Sequence, residues 1–125
     1  MFHPQILLAV ALGGSCGALV RYTSAAALAS RGGSPIWATL SVNLVGSLLI
    51  GVAAAAAANG NLSPVAKAAI ISGFLGSLTT FSTYSLETIT LLKENRIGMA
   101  LAYAFGSMAL GLLAAGIGWQ LTHRT

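Results

Sequence analysis

Four long apolar stretches, separated by short polar connections, occupy almost the whole chain. They cover approximately residues 4–28, 36–58, 65–91 and 97–121. A hydrocarbon core ~30 Å thick requires ~20 apolar residues per helix, so each stretch is long enough to span a bilayer. The connections are too short to hold a second folded unit. The pattern predicts an all-α membrane protein with four transmembrane helices, forming a single transmembrane domain over residues 1–125.

The third apolar stretch is interrupted by polar residues in its middle. Gly73 and Gly76 precede a run at 79–85 in which five residues carry serine or threonine hydroxyl groups. Glycine destabilises a helix interior, and serine and threonine offer the backbone alternative hydrogen bonds. We therefore expect the third helix to break at mid-span. In channels and transporters such breaks commonly form ion sites, because half-helix ends and free carbonyls interact with ions.

Polar side chains also recur at helical spacing in the second and fourth stretches. Thr39, Asn43 and Ser47 follow one another every four residues, as do Tyr103 and Ser107. Each set therefore shares one helix face. Asn43 offers two amide N–H donors, and an interhelical hydrogen bond explains it as well as a ligand does. A path lined by neutral N–H and O–H donors, without an acid at its centre, suits a small anion better than a cation.

Three other features bear on an anion path. Phe81 and Tyr84 lie on one face if the helix resumes after the break, and their electropositive ring edges could solvate an anion; ordinary packing is the alternative. Arg21 is either an anchor at the membrane boundary or a group that attracts anions. Glu87 is the one acid within a span, and we expect it to cap an interface or pair with Arg21.

Composition supports a membrane protein and argues against other classes. The chain is 56% hydrophobic and 6% charged, whereas an ordinary soluble domain has about 25% charged residues. Its six basic residues are dispersed, so no patch for nucleic acid is expected. His3 and His123 lack acidic or cysteine neighbours at ligand spacing, and Cys16 is a single cysteine. A metal-centred enzyme is therefore not expected.

The distribution of charge gives only a weak signal for orientation. With four spans, Lys67 and Arg124 fall on one side of the membrane, while Arg31, Lys93 and Arg96 fall on the other. A chain so weakly directed by its positive charges could insert in both orientations. This leads to the hypothesis of an antiparallel homodimer.

Three sequence elements resemble the Fluc (CrcB) family of fluoride channels: Gly13-Gly14-x2-Gly17-Ala18-x2-Arg21-Tyr22, Asn43-x2-Gly46-Ser47 and Gly73-Phe74-x-Gly76-x2-Thr79-Thr80-Phe81-Ser82-Thr83. The similarity covers nearly the whole chain in order. It implies a passive, fluoride-selective channel in the cell inner membrane that protects the cell from fluoride toxicity. It also implies an antiparallel, dual-topology homodimer with two pores and a structural sodium ion at its centre.

The resemblance assigns roles to individual positions. Main-chain carbonyls of Gly76 and Thr79 would hold the sodium ion. Arg21 and Glu87 would lie in the vestibules. The fluoride pore would be lined by Asn43, Phe81, Tyr84, Ser82, Thr83, Tyr103, Ser107 and Thr39. The chain departs from the family pattern at Tyr84, where phenylalanine is usual, and at Ser77, where glycine is usual.

Two other classes of function remain open at this point. A small multidrug-type exporter also has four helices and dual topology, but it exchanges protons for cationic drugs at a buried glutamate. Glu87 would be the candidate here, although it lies late in the third span rather than in the first. A non-transporting accessory subunit would explain the small-residue face at Gly13 and Gly17, which permits close helix packing, but not the polar run in the third span.

Overall fold

The computed structural model describes residues 3–123, and Arg124 lies outside that range. Four helical spans are long and apolar enough to cross a membrane, which confirms the four predicted spans. They are Pro4–Ala29, Pro35–Ala58, Pro64–Lys93 and Ile97–His123. The helices extend up to two residues beyond the predicted bounds. We call the first two helices α1 and α2.

Prolines and glycines set the short connections between the spans. Pro4, Pro35 and Pro64 stand in the first turn of their helices, where the missing N–H has no helical partner to lose. Gly32 and Gly60, just beyond α1 and α2, have φ values of 74° and 76°. This left-handed conformation ends a helix and is readily accessible to glycine. The chain can therefore reverse direction within a few residues.

The third span is built from several helical pieces. They are α3 (Pro64–Lys67), a π-helical segment (Ala68–Leu75), α4 (Gly76–Leu78) and α5 (Phe81–Lys93). Between α4 and α5, Thr79 has φ −82° and ψ 152°, and Thr80 has φ −147° and ψ 119°. Both residues are extended, so helical hydrogen bonding stops there. We call residues 64–78 the first half-helix and α5 the second. The last span is α6 (Ile97–His123).

Glycines allow α2 and α6 to pack with their backbones in contact. A Cβ atom added to Gly51 would overlap the carbonyl oxygen of Ala115 on α6. Reciprocally, a Cβ on Gly118 would overlap the carbonyl oxygen of Leu48 on α2. Small residues at helix interfaces let backbones approach closely in membranes, where dispersion forces replace the hydrophobic effect between helices.

The small-residue face of α1 packs in the same way against the first half-helix. A Cβ on Gly13 would overlap the carbonyl oxygen of Ala69, and one on Gly17 would overlap that of Phe74. Both acceptors belong to the π-helical segment. The expectation that these glycines permit close packing is confirmed, and α1 thereby supports the segment that leads into the interruption.

Most large apolar side chains lie on the outside of the protomer. Leu8, Leu12 and Leu19 of α1 are each more than 60% exposed, whereas Leu75 and Leu91 are 2% and 4% exposed. Such an arrangement is unfavourable in water but not in lipid, which is as apolar as leucine. Lipid or another protein chain must cover this surface.

We expect Gly118→Ala to destabilise the protein by about 1–3 kcal/mol, the usual cost of overpacking, because its methyl group would overlap backbone that cannot rotate away. Gly116→Ala, two residues earlier in α6, is the matched control, since its added Cβ meets nothing within 4 Å. Chemical unfolding in detergent measures both. Equal stability of the two variants would contradict the proposed packing.

Candidate functional site

The interruption in the third span is held by a side chain from α2. The backbone N–H of Thr80 donates to Oδ1 of Asn43 at 2.8 Å, and Nδ2 of Asn43 donates to the carbonyl oxygen of Thr80 at 3.2 Å. The amide of Asn43 thus satisfies both backbone groups of one residue in the interruption. The interhelical hydrogen bond considered for Asn43 is present. Because Nδ2 carries two hydrogens, one N–H still remains for another acceptor.

Thr80 also begins the second half-helix. Its Oγ1 accepts a hydrogen bond from the backbone N–H of Thr83 at 3.2 Å, a typical N-cap contact. The same oxygen lies 3.2 Å from the hydroxyl oxygens of both Thr83 and Ser82. Thr80 therefore links α2 to the amino end of α5, where free N–H groups and the helix dipole favour negative charge.

The carboxyl end of the first half-helix is only partly satisfied. Nε of Arg21 donates to the carbonyl oxygen of Ser77 at 3.0 Å. The backbone N–H and the Oγ1 of Thr79 both donate to the carbonyl oxygen of Leu75, at 3.2 and 3.0 Å. Within residues 3–123, no hydrogen bond reaches the carbonyl oxygens of Gly76 and Thr79. These two oxygens remain available to an external partner.

Glu87 binds two neutral hydroxyl groups rather than Arg21. Thr39 Oγ1 donates to Oε1 of Glu87 at 2.8 Å, and the Tyr103 hydroxyl donates to Oε2 at 2.6 Å. Thr39 and Tyr103 are 6% and 7% exposed. Of the two alternatives expected for Glu87, an interface cap or a pair with Arg21, the pair is wrong, because Arg21 binds the backbone carbonyl of Ser77 instead. The polar faces of α2 and α6 meet at this carboxyl group.

Three aromatic rings form a continuous row across α5 and α6. The centroids of Phe81 and Tyr84 are 5.6 Å apart, and those of Tyr84 and Tyr103 are 5.4 Å apart. The Tyr84 hydroxyl donates to the carbonyl oxygen of Ala104 at 2.8 Å. Its proton is therefore already used within the protein. Phe81, at the other end of the row, is 78% exposed.

An open groove of about 410 Å³ brings these features together. Its lining comes from α2, from the interruption, from the start of α5 and from α6: Asn43, Gly46, Ser47, Ile50, Thr79, Thr80, Phe81, Tyr84, Ser107, Met108, Gly111, Leu112 and Ala115. Within the described residues, the Ser107 hydroxyl is buried without a hydrogen-bond partner. The groove therefore combines a free hydroxyl group, a spare amide N–H and aromatic rings.

The structure separates the predicted site residues into groups. Asn43, Phe81, Tyr84 and Ser107 line the groove, together with Thr79. The remaining predicted residues lie outside the groove lining. Thr39, Tyr103 and Glu87 form a separate cluster, and Ser82 and Thr83 lie beside the Thr80 hydroxyl. Arg21 binds the carbonyl oxygen of Ser77, and Gly76 is exposed beside the interruption.

Thr80 has a structural role that its place in the polar run does not by itself predict. It forms both hydrogen bonds with Asn43 and caps α5. Threonine directly before a helix start is a preferred N-cap residue, because its hydroxyl oxygen accepts from a free N–H of the first turn. This preference is the sequence signal for the start of the second half-helix after Thr80.

Residues 8–119 match the family model described as "CrcB-like protein, Camphor Resistance (CrcB)". The chain belongs to the CrcB-like family. Three bacterial relatives each carry the name "Fluoride-specific ion channel FluC". A protein of Thermus thermophilus is 47% identical over 115 residues, 91% of each chain. That of Salinibacter ruber is 48% identical over 90% of this chain and 85% of its own length. That of Stutzerimonas stutzeri is 42% identical over 95% of this chain and 98% of its own length.

Membership of the CrcB-like family and four apolar helices establish a multi-pass membrane protein. In bacterial cells, such a helical protein resides in the inner membrane. The CrcB-like family consists of ion channels rather than enzymes. The groove beside the interruption is therefore a candidate ion-binding or ion-conducting site rather than a catalytic one.

We expect Tyr103→Phe to destabilise the fold more than Tyr84→Phe, although each removes a single hydroxyl group from neighbouring rings. A hydrogen bond to a charged group contributes about 1.5–3 kcal/mol, compared with about 0.5–1.5 kcal/mol for a neutral acceptor. Tyr103 donates to the Glu87 carboxyl group and Tyr84 to a backbone carbonyl. Chemical unfolding in detergent compares them. A larger loss for Tyr84→Phe would contradict this assignment.

Proposed function

We propose that this chain forms a fluoride-selective channel through which fluoride leaves the cell passively, protecting it from fluoride toxicity. Membership of the CrcB-like family supports this function, as do the names of the three relatives. The structural observation that carries the proposal is the groove beside the interrupted third span, where uncharged donors converge.

The chemistry of the groove suits a small, strongly hydrated anion. Its polar groups include the second amide N–H of Asn43 and the free hydroxyl of Ser107. The ring edges of Phe81 and Tyr84 can add electropositive contacts. Among the described lining residues none is acidic, so no fixed negative charge opposes an anion. Short donor contacts of this kind would replace the water lost on entry.

Passive conduction requires no chemical step. A negative-inside membrane potential favours anion exit by ~2.3 kcal/mol per charge per 100 mV. The protein's task is to lower the cost of dehydration. Near Phe81, the amino end of α5 adds the favourable end of a helix dipole.

The remaining polar residues extend this path in our proposal. Ser82 and Thr83 present hydroxyl groups at the amino end of α5. Thr39 and Tyr103 lead from the groove to Glu87, in a vestibule. Arg21 would also serve a vestibule, because its contact with Ser77 uses Nε and leaves the terminal guanidinium N–H groups for an anion.

We further propose that two copies associate in opposite orientations, with the interruption near the bilayer midplane. Phe81 is 78% exposed and Gly76 is exposed, although both lie at the interruption. Polar backbone at membrane depth is tolerated only when protein or a polar cavity covers it. A second copy would close the open groove of each protomer, giving two pores.

A sodium ion at the centre of this dimer fits the residues present. The carbonyl oxygens of Gly76 and Thr79 have no donor within residues 3–123, and unwound carbonyls at half-helix ends are typical cation ligands. Each copy would contribute these two oxygens. Bound there, sodium would neutralise converging carbonyl dipoles and hold the two first half-helices together.

Asn43→Asp is expected to abolish fluoride efflux from reconstituted liposomes, measured with a fluoride electrode. An aspartate cannot donate to the Thr80 carbonyl and places a negative charge in the groove. Asn61→Asp, in the exposed connection after α2, makes the same charge change elsewhere and should conduct normally. Undiminished efflux through folded Asn43→Asp protein would overturn the role of Asn43.

Replacing sodium by N-methylglucamine on both sides of the membrane is expected to slow fluoride efflux and to weaken the dimer in detergent, measured by size-exclusion chromatography with light scattering. Restoring sodium should reverse both effects. A monomer that conducts fluoride would contradict the proposed assembly, and a sodium-independent dimer would contradict the proposed sodium site.

A further inference from the structure

A second groove, of about 490 Å³, lies between α1 and α2. Its lining is largely apolar: Val20, Ser24, Ala27, Leu28, Arg31, Trp37, Ala38, Ser41, Val42, Val45 and Leu78. On α2, Ala38, Ser41 and Val45 recur at helical spacing and form a face different from that of Asn43 and Ser47. The two grooves therefore open on different sides of α2, and the proposed fluoride path does not use the second one.

The two serine hydroxyl groups in the groove walls already have acceptors within their own helices. The hydroxyl of Ser24 donates to the carbonyl oxygen of Val20 at 2.7 Å, and that of Ser41 donates to the carbonyl oxygen of Trp37 at 2.7 Å. Neither hydroxyl proton is left for a ligand. The walls therefore favour an apolar occupant such as an acyl chain.

Arg31 places an uncompensated positive charge at one end of this groove. It follows the last residue of α1 by two positions, in the connection to α2. Within residues 3–123 its side chain has no hydrogen bond or ion pair, whereas Arg21 binds Ser77 and Arg96 lies 3.6 Å from Glu94. No acidic residue lines the groove among those described. A phosphate group would supply the missing negative charge.

The groove runs from the membrane interface along the helices, in the direction in which a membrane lipid extends from its headgroup. Trp37, 56% exposed, lies near the start of α2, as expected for a tryptophan at the membrane interface. From Trp37 to Val45 the groove extends ~12 Å along α2, given a rise of about 1.5 Å per residue. Leu78 contributes to its apolar wall. A headgroup at Arg31 would thus place an acyl chain along the helices.

We propose that the α1–α2 groove binds a phospholipid with a net negative headgroup, with its phosphate at Arg31 and an acyl chain along Val42 and Val45. Basic groups at the ends of transmembrane helices attract anionic lipid headgroups. The inference does not depend on fluoride conduction. It concerns a different face of the protein and predicts lipid selectivity at one place on its surface.

The two tryptophans of the chain provide the test. Trp119→Phe leaves Trp37 as the reporter, and Trp37→Phe leaves Trp119, which lies near the far end of α6. Each protein is reconstituted in vesicles of phosphatidylcholine and phosphatidylglycerol, with bromine on the acyl chains of one lipid at a time. Trp37 should favour the anionic lipid about fivefold, from about 1 kcal/mol per basic residue. Trp119 should show a ratio near one.

Arg31→Gln in the Trp119→Phe protein should reduce the Trp37 ratio to near one, whereas Arg31→Lys should retain a preference. Arg96→Gln, which removes a charge paired with Glu94, is the matched control and should leave the ratio unchanged. A ratio near one before any change at Arg31 would overturn the proposal, as would an unchanged ratio in Arg31→Gln. Weak quenching of Trp37 by both lipids would show another occupant, such as a second copy, and would also overturn it.

Discussion

The paired hydrogen bonds between the Asn43 amide and the backbone of Thr80 allow this chain to interrupt a helix inside an apolar protein. Unpaired backbone groups cost several kcal/mol each in hydrocarbon, so an interruption persists only when other groups replace the helical partners. Asn43 supplies one acceptor and one donor at a single residue. Arg21 satisfies a further carbonyl, and the Thr80 hydroxyl satisfies an N–H of α5. The interruption is therefore supported by α1, α2 and the third span itself.

This arrangement leaves a particular set of groups unsatisfied. The carbonyls of Gly76 and Thr79, the Ser107 hydroxyl and the second N–H of Asn43 remain without partners among residues 3–123, and they differ in chemistry. The carbonyls can bind a cation, whereas the donors can bind an anion. In the proposed channel, one break in a helix would thus serve two ions of opposite charge, because the two half-helices present opposite ends to their surroundings.

The hydroxyl group of Tyr84, which a phenylalanine would lack, has a hydrogen-bond partner within the protein. The family resemblance leads one to expect phenylalanine, and the extra hydroxyl group would be a new donor in the path. In the structure it binds the carbonyl oxygen of Ala104, so the ring keeps its position between Phe81 and Tyr103 while the proton faces α6. In the proposed channel, the ring edge would then be the group available to an anion.

The sequence by itself determined the four helices, because spans of ~20 apolar residues with few charges have no other stable arrangement in a bilayer. It also identified the polar run of the third span and the glycine faces, since helical spacing can be counted directly along the chain. Helical spacing cannot reveal which residues meet across helices. The bonds between Asn43 and Thr80 join residues 37 positions apart, those from Thr39 and Tyr103 to Glu87 join residues 48 and 16 positions apart, and that from Arg21 to Ser77 joins residues 56 positions apart. Only the tertiary packing of the four helices decided those partners, because it fixes which faces come within hydrogen-bonding distance.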